Sequence, residues 1–362
     1  MSKHTERLTG RPSLAVVTKK QGGDGIAYAA LLLERALSEI AQAAVPVLDL
    51  APRHPTKPTL GEQALFVLRL SVAQLSSRQS WWIFNHIGIA RAQNLILRFA
   101  RQPYAVLLCG IEAWDPALPS DRKKVLQNAA SRIAISHYTA KRVSELHPEI
   151  GPIVACPLAL LPTPYVAATF EHALLGQIRE ASVLVVGRMN SAERYKGHDE
   201  LLEAWSSVVN EVPGAQLVVA GQGDDVTGLR EKSASLGLSN DVLFLGLVAD
   251  ATLEALRQRV ALFALPSRGE GFGLVYLDAM RAGLACIGGA RDAAVDVIVD
   301  GETGVLVDRS HREALAASIV DLLREPERRA AYGVAGKRRF DAEFTFERYC
   351  DRLRPILLDA FA

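Results

Sequence analysis

The sequence has little cysteine and no paired spacing of it. Cys109, Cys156, Cys286 and Cys350 are the only four in 362 residues, and none forms a C-x-x-C. This argues against a zinc ribbon or a disulfide framework and fits a reducing compartment. Charge of either sign is not in excess either: 41 Lys and Arg stand against 40 Asp and Glu, a net charge of +1. Bulk nucleic-acid binding needs a strong basic footprint and is not expected. A small anionic ligand needs only two or three local cations. No apolar run approaches the roughly 18 residues that cross a bilayer. The opening residues 1–12, MSKHTERLTGRP, lack the apolar centre of a secretory leader and read as a frayed tail. A cytoplasmic protein is expected, with room for peripheral contact at the inner face of the plasma membrane. No Asp-x-Asp is present to hold a metal, and no internal repeat is visible. Gly22, Gly23 and Gly25 follow the first apolar run at spacings that do not make G-x-G-x-x-G, which disfavours a dehydrogenase.

What the chain does have is alternation. Hydrophobic residues make up 49% of it, enough for a sizeable core, and its length suggests two domains. Short apolar runs (SLAVVT, VPVLDL, WWIFNHI, YAVLLCGI, RIAISH, IVACPLAL) are separated by helical stretches such as ARAQNLILRFARQ. Near-continuous apolar strands with helical crossovers indicate a parallel sheet covered on both faces. The pattern weakens over 161–181, where two prolines suggest a linker, then resumes with SVLVVGRM, AQLVVAG, VLFLGLV, LFALPS, ACIGG and TGVLVD. The expected organisation is an α/β protein of two doubly wound domains, 13–165 and 181–345. Residues 166–180 would link them, and 346–362 would form a final amphipathic helix. Ligands of such sheets bind beyond the carboxyl ends of the strands.

Two stretches after strands carry candidate chemistry. In VVGRMNSAERYKGHDELLEAW, Arg188 ends a strand and Lys196 precedes a helix. Two cations beside helix amides suit a diphosphate. Equally, Arg188 could pair with a local carboxylate such as Glu193 and Lys196 could be a surface residue. In SRGEGFGLVYLDAMRAG, Gly271 and Gly273 let backbone approach a ligand closely and Gly283 stops the helix. Glu270 can accept two hydrogen bonds from vicinal hydroxyls. Asp278, in the second turn, faces another part of the same ligand. The bland alternative makes Glu270 a complement to the helix dipole and Asp278 a solvated position. His86 closes a strand and is, alone, as readily structural. Glu112 and Trp114 either line a cleft or cap and pack the next helix.

Together GRMNSAERYKGH, EGFGLVYLDAMRAG and DGETGVLV, at this spacing, resemble the retaining GT-B glycosyltransferases of family 4. The likeness is strong over most of 181–310 and extends more weakly through QGGDG, CGIEAW and SHYTAKRV. It implies two Rossmann-like domains facing a central cleft, with the final helix crossing back to the first. It implies that Arg188 and Lys196 hold the donor diphosphate and that Glu270, first acid of an E-x7-E motif, contacts sugar hydroxyls. Gly271, Phe272, Gly273 and Leu274 would supply the turn at the sugar and phosphate. Asp278 stands where the family usually has Glu and would meet the ribose. Gly22 and Gly23 would form the N-terminal glycine loop, and His86 would lie beside the transferred sugar. The base would rest near Leu245–Val248, without a readable base code.

The implied partners are a nucleotide-sugar donor, which is a substrate rather than a cofactor, and a glycan or lipid-linked saccharide acceptor. The implied reaction is metal-independent, anomer-retaining hexosyl transfer in bacterial exopolysaccharide or lipopolysaccharide assembly. A GT-B epimerase or phosphorylase, or a non-catalytic sugar-nucleotide-binding protein, would share the fold.

Overall fold

The computed structural model describes residues 10–17, 25–50, 58–76, 80–162 and 172–362. Gly22 and Gly23 lie outside the described residues, as does most of the expected tail. The chain divides into two compact units, Met1–Leu161 with Phe344–Ala362, and Pro162–Glu343.

All twelve expected strands form. In the first unit they are β1 (Arg11–Val16), β2 (Val47–Asp49), β3 (Ser80–Phe84), β4 (Tyr104–Leu108), β5 (Ser131–Ala134) and β6 (Val154–Ala155). They lie in the order β2-β1-β3-β4-β5-β6, with every pairing parallel. In the second unit, β7 (Ser182–Val186), β8 (Gln216–Ala220), β9 (Val242–Gly246), β10 (Leu262–Leu265), β11 (Cys286–Gly289) and β12 (Gly304–Val307) take the order β12-β11-β10-β7-β8-β9, again parallel. Strands such as β3, β4, β8 and β10 are buried along their whole length, which is why they read as unbroken apolar runs rather than alternating ones. The strand orders place a topological switch between β1 and β3 in the first sheet and between β7 and β10 in the second. Crossovers leave such a point in opposite directions, and the gap they open at the strands' carboxyl ends is where ligands sit.

Four expectations need adjusting. The first strand begins at Arg11, so Arg11 and Pro12 belong to the sheet and not to a tail. ARAQNLILRFARQ is no continuous helix: Ile87–Ala90 passes into 3₁₀ turns Arg91–Leu95 and Arg98–Ala100. The Arg101 guanidinium donates to the carbonyls of Ile96 and Asn94, and Ile96 is extended and turned inward, which ends the helical run. The linker is also shorter than 166–180 at its far end. Ile178 is buried, and Arg179 already joins the second unit through Asp241 (2.9 Å) and the Gln216 side chain (3.0 Å). Finally, a helix over Pro326–Glu343 completes the second unit, and Phe344 and Thr345 already group with the first.

The last helix, Phe346–Phe361, packs on the helix Gly25–Ala41. Thr345 caps it, Tyr349, Leu353 and Leu357 are fully buried, and Arg352 donates to the Pro157 carbonyl. Phe361 stacks on Trp81 at 4.3 Å with the rings 8° from parallel. Removing a buried ring costs about 3–5 kcal/mol, because transfer and cavity terms add. Phe361→Ala is therefore expected to accelerate native-state hydrogen exchange in β1 and β3 by a corresponding factor and to leave β7–β12 unchanged. Equal acceleration in both units would contradict the placement of this helix.

Candidate functional site

The site of the second unit is built where β7 and β10 end. After β7 the chain continues through Gly187 and Arg188 into a 3₁₀ turn, Ser191–Lys196. Gly197 then starts the helix His198–Glu211 with φ of 86°. A side chain there would be strained, and its Cβ would lie 2.5 Å from the Pro266 carbonyl oxygen. Only glycine lets this corner press against the end of β10. The contact is reinforced by the Arg268 amide, which donates to the Tyr195 carbonyl at 2.9 Å. The turn that carries Lys196 is thus fastened to the loop that carries Glu270.

The outcome is an ion pair. Lys196 Nζ donates to Glu270 Oε1 at 2.6 Å, with the two side chains 12% and 17% exposed. Burial pulls the Lys196 pKa down, but the charge and hydrogen bond of Glu270 outweigh it, and the amine ends above its ordinary value. Tyr195, whose ring faces Lys196, is raised mainly by burial, and it feels Glu193, Glu270, Lys196 and Arg188 together. These charges therefore share one neighbourhood. Arg188 is the exposed member and donates to Glu193 Oε1 at 2.5 Å, the local pairing that the sequence leaves open. Beneath them His198 is pushed down to about 4, by burial first and then by Lys196, so it adds no charge near neutral pH.

The Glu270 loop has its own anchor, Asp292. This fully buried residue after β11 accepts from the Ser267 hydroxyl, from the Glu270 amide at 2.9 Å and from the Ala294 amide at 3.0 Å. The Ala293 amide returns a hydrogen bond to the Glu270 carbonyl at 3.1 Å. Burial raises the Asp292 pKa, and these three donors oppose that rise. Next come Gly271 and Phe272, the latter buried, and Gly273 at φ 96° and ψ 54°. Gly273 is the N-cap of the helix Leu274–Arg281 and, as a glycine, makes no side-chain capping bond. A Cβ on Gly273 would meet the Tyr276 ring at 2.4 Å, and that tyrosine is fixed by its hydrogen bond to the Leu265 carbonyl. Such an N-terminus presents backbone N–H groups and a positive dipole end to an anion.

Asp278 lies on this helix, but its carboxylate is occupied. Arg281 binds it at 3.0 Å and Arg257 at 3.6 Å, and both arginines also reach Glu254. Burial raises the Asp278 pKa against the pull of these two arginines. Leu274 is only partly buried; Tyr276, Leu277, Ala279 and Met280 make the inner face of the helix.

His86 belongs to the first unit. It follows β3, at that sheet's switch point, and its Nδ1 accepts from the Gly88 amide at 2.9 Å as the N-cap of a short helix. Glu112 accepts from the Cys109 amide, and Trp114 is buried against Tyr138, so both take the capping-and-packing alternative. Tyr195, Asp292 and the Arg257–Arg281 pair escaped the sequence reading. The one available signal for Asp292 was its position just after the strand-end GGAR; a polar residue there lies on the site's side of the sheet.

Residues 178–339 match the family described as glycosyl transferases group 1. The match lies within the second unit. The chain is similar to a GDP-mannose-dependent alpha-(1-6)-phosphatidylinositol monomannoside mannosyltransferase of Mycolicibacterium smegmatis, 33% identical over 149 residues, 39% of each chain. It is also similar to the lipopolysaccharide core biosynthesis mannosyltransferase LpcC of Rhizobium leguminosarum bv. viciae, 33% identical over 172 residues, 45% of this chain and 47% of that one. The chain spans less than half the length of these curated relatives. Among solved structures, HepE of Anabaena superposes with a TM-score of 0.74 at 18% identity, covering 95% of this chain and 99% of that one. Sucrose-phosphate synthase of Thermosynechococcus elongatus gives 0.76 at 20%, covering 96% and 98%. The fold is GT-B.

The Lys196–Glu270 pair has a measurable consequence. Glu270 holds the Lys196 pKa up against burial, so Glu270→Gln is expected to move it downward. The stabilisation from the pair is complete below the ordinary lysine value of 10.5 and is lost as pH rises through the higher folded-state value. Titration of Lys196 followed by NMR on its Cε–H signals in both proteins reads the shift directly. An unchanged midpoint in Glu270→Gln would refute the pairing.

Proposed function

We propose that the protein transfers a hexose from a nucleoside-diphosphate sugar to a glycan or lipid-linked saccharide. The observation that carries this reading is the cluster at the β7–β10 switch, where Arg188, Lys196, Glu270 and the glycine-capped helix start at Leu274 adjoin. Two cations and a set of backbone N–H groups suit a diphosphate, and a carboxylate beside them suits sugar hydroxyls. The mannosyltransferase relatives favour GDP-mannose as the first donor to test and a glycolipid or lipopolysaccharide core as acceptor class.

The chemistry follows from where charge develops. The bond from the anomeric carbon to the β-phosphate oxygen breaks, and its electron pair leaves with the diphosphate. An acceptor hydroxyl oxygen bonds to the same carbon on the same face, and its proton goes to the departing phosphate oxygen. Arg188 and Lys196 stabilise the charge that appears on the diphosphate, aided by the Gly273–Leu274 backbone. This assigns the leaving group's charge to protein cations and calls for neither a metal nor an organic cofactor. Glu270 orients the sugar through its hydroxyls while Asp292 holds the loop in place. Asp278, engaged by Arg257 and Arg281, meets the ribose at most through its outward edge. Front-face attack with retention needs no pair of carboxylates flanking the bond. We place the reaction on the cytoplasmic side, in assembly of bacterial surface glycans.

Two cations bonded to a diphosphate contribute about 1.5–3 kcal/mol each. Arg188→Ala with Lys196→Ala is therefore expected to weaken GDP-mannose binding by about a hundredfold or more in calorimetry. The wild-type product formed from that donor on a glycolipid acceptor, with EDTA present, is expected to keep the donor's anomeric configuration by NMR. Unchanged affinity in the double variant would sink the donor-site assignment, and an inverted product would sink the mechanism.

A further inference from the structure

Tyr195 stands at the joint between the two loops of the candidate site. It directly precedes Lys196 in the 3₁₀ turn Ser191–Lys196 and is half-buried. The Arg268 amide donates to its carbonyl at 2.9 Å, which fastens its backbone to the loop that carries Glu270. The ring is fitted to the same loop. A Cβ on Gly269 would lie 2.7 Å from Tyr195 Cδ2, 3.0 Å from Cγ and 3.1 Å from Cε2. This edge of the ring therefore fills the space that a side chain at 269 would need. Gly269 does not sit in the left-handed φ region, so backbone freedom does not account for it. A glycine is required there because the ring approaches the backbone so closely.

The same ring meets Lys196. Nζ lies 5.6 Å from the ring centroid, within the range at which an ammonium is attracted to an aromatic face, and 2.6 Å from Glu270 Oε1. Burial raises the phenol's pKa, so Tyr195 faces Lys196 as a neutral ring near neutral pH. The lysine stem passes Gly187, where a Cβ would lie 3.5 Å from Lys196 Cδ. A four-carbon stem is flexible and by itself leaves its ammonium many positions. Here the ring, the carboxylate and the Gly187 backbone confine it, and the side chain is only 12% exposed. Each Tyr195 contact named here is made by the ring or the backbone, and none by the hydroxyl.

We propose that Tyr195 is a positioning residue of the donor site: its ring, seated on Gly269, holds the Lys196 ammonium beside Glu270, where a diphosphate would meet it. The inference rests on the donor reading given above. It adds a residue that acts through Lys196 without touching the ligand, and it makes the ring at 195 and the glycine at 269 a single fit across two loops.

A double-mutant cycle between Tyr195→Ala and Lys196→Ala tests it, with GDP-mannose affinity read by calorimetry. Tyr195→Ala alone is expected to weaken binding about tenfold, in the range of a partly desolvated ring–ammonium contact. Once Lys196 is replaced by Ala, the same change is expected to have no further effect. Tyr195→Phe keeps the ring and should bind as wild type does, whereas Gly269→Ala displaces the ring and should weaken binding as Tyr195→Ala does. Equal losses from Tyr195→Ala with and without Lys196 would show a merely structural role and overturn the proposal. So would a Tyr195→Phe variant as weak as Tyr195→Ala. A second readout needs no donor: NMR exchange of the Lys196 ammonium protons with water should quicken in Tyr195→Ala and keep the wild-type rate in Tyr195→Phe. Unchanged exchange in Tyr195→Ala would overturn the proposal. Quickened exchange in a protein that binds no GDP-mannose would uphold the hold of the ring on Lys196 and sink the donor reading instead.

Discussion

The carboxylate of Asp292 is the contact on which the strand-end loops of the second unit depend. It is fully buried and satisfied by the Ser267 hydroxyl and the amides of Glu270 and Ala294. A buried carboxylate without such donors would cost several kcal/mol, and donors without the carboxylate would be orphaned in turn. Each side therefore fixes the other. The loop after β10 is locked to the segment after β11, which leaves the Glu270 side chain aimed at Lys196. The opposite wall is fixed by steric means, because Gly197 presses against Pro266 where any side chain would clash. One wall held by hydrogen bonds and one by close packing bring two opposite charges to 2.6 Å at the mouth of the sheet.

Such a pair is poised to be disturbed. Lys196 is protonated through the neutral range, and its charge is engaged by Glu270, as that of Arg188 is engaged in part by Glu193. On the function proposed above, a diphosphate at the Leu274 helix would compete for both cations and would release Glu270 and Glu193 to meet hydroxyls. Asp278 has less freedom. Its two arginines and its shorter stem bind it into a cluster with Glu254.

The architecture was legible in the sequence because a parallel strand buried on both faces leaves an unmistakable apolar run. Every one of the twelve runs is a strand. The ends of elements were less legible. Arg11 and Pro12 look like tail residues yet pair with Ser80 and Trp81, and Ile178 and Arg179 look like linker yet pack on the second sheet. These positions are decided by tertiary partners far along the chain, which local pattern does not encode. ARAQNLILRFARQ misleads for a related reason: its leucines and phenylalanine suggest a buried helical stripe, whereas most of them face outward.

The candidate cluster was legible where charge and glycine coincide after a strand, as at Arg188, Lys196 and Glu270–Gly273, which the structure brings together. Partners drawn from other strands were hidden: Asp292 comes from beyond β11 and Arg257 from the helix before β10. The central claim is that the β7–β10 junction receives the diphosphate, and a crystal structure with GDP bound tests it most directly. The expected result places phosphate oxygens about 3 Å from Lys196 Nζ and from the Gly273–Leu274 backbone N–H groups, with the Lys196–Glu270 contact lengthened or shared. Nucleotide bound elsewhere, with that ion pair intact, would contradict it.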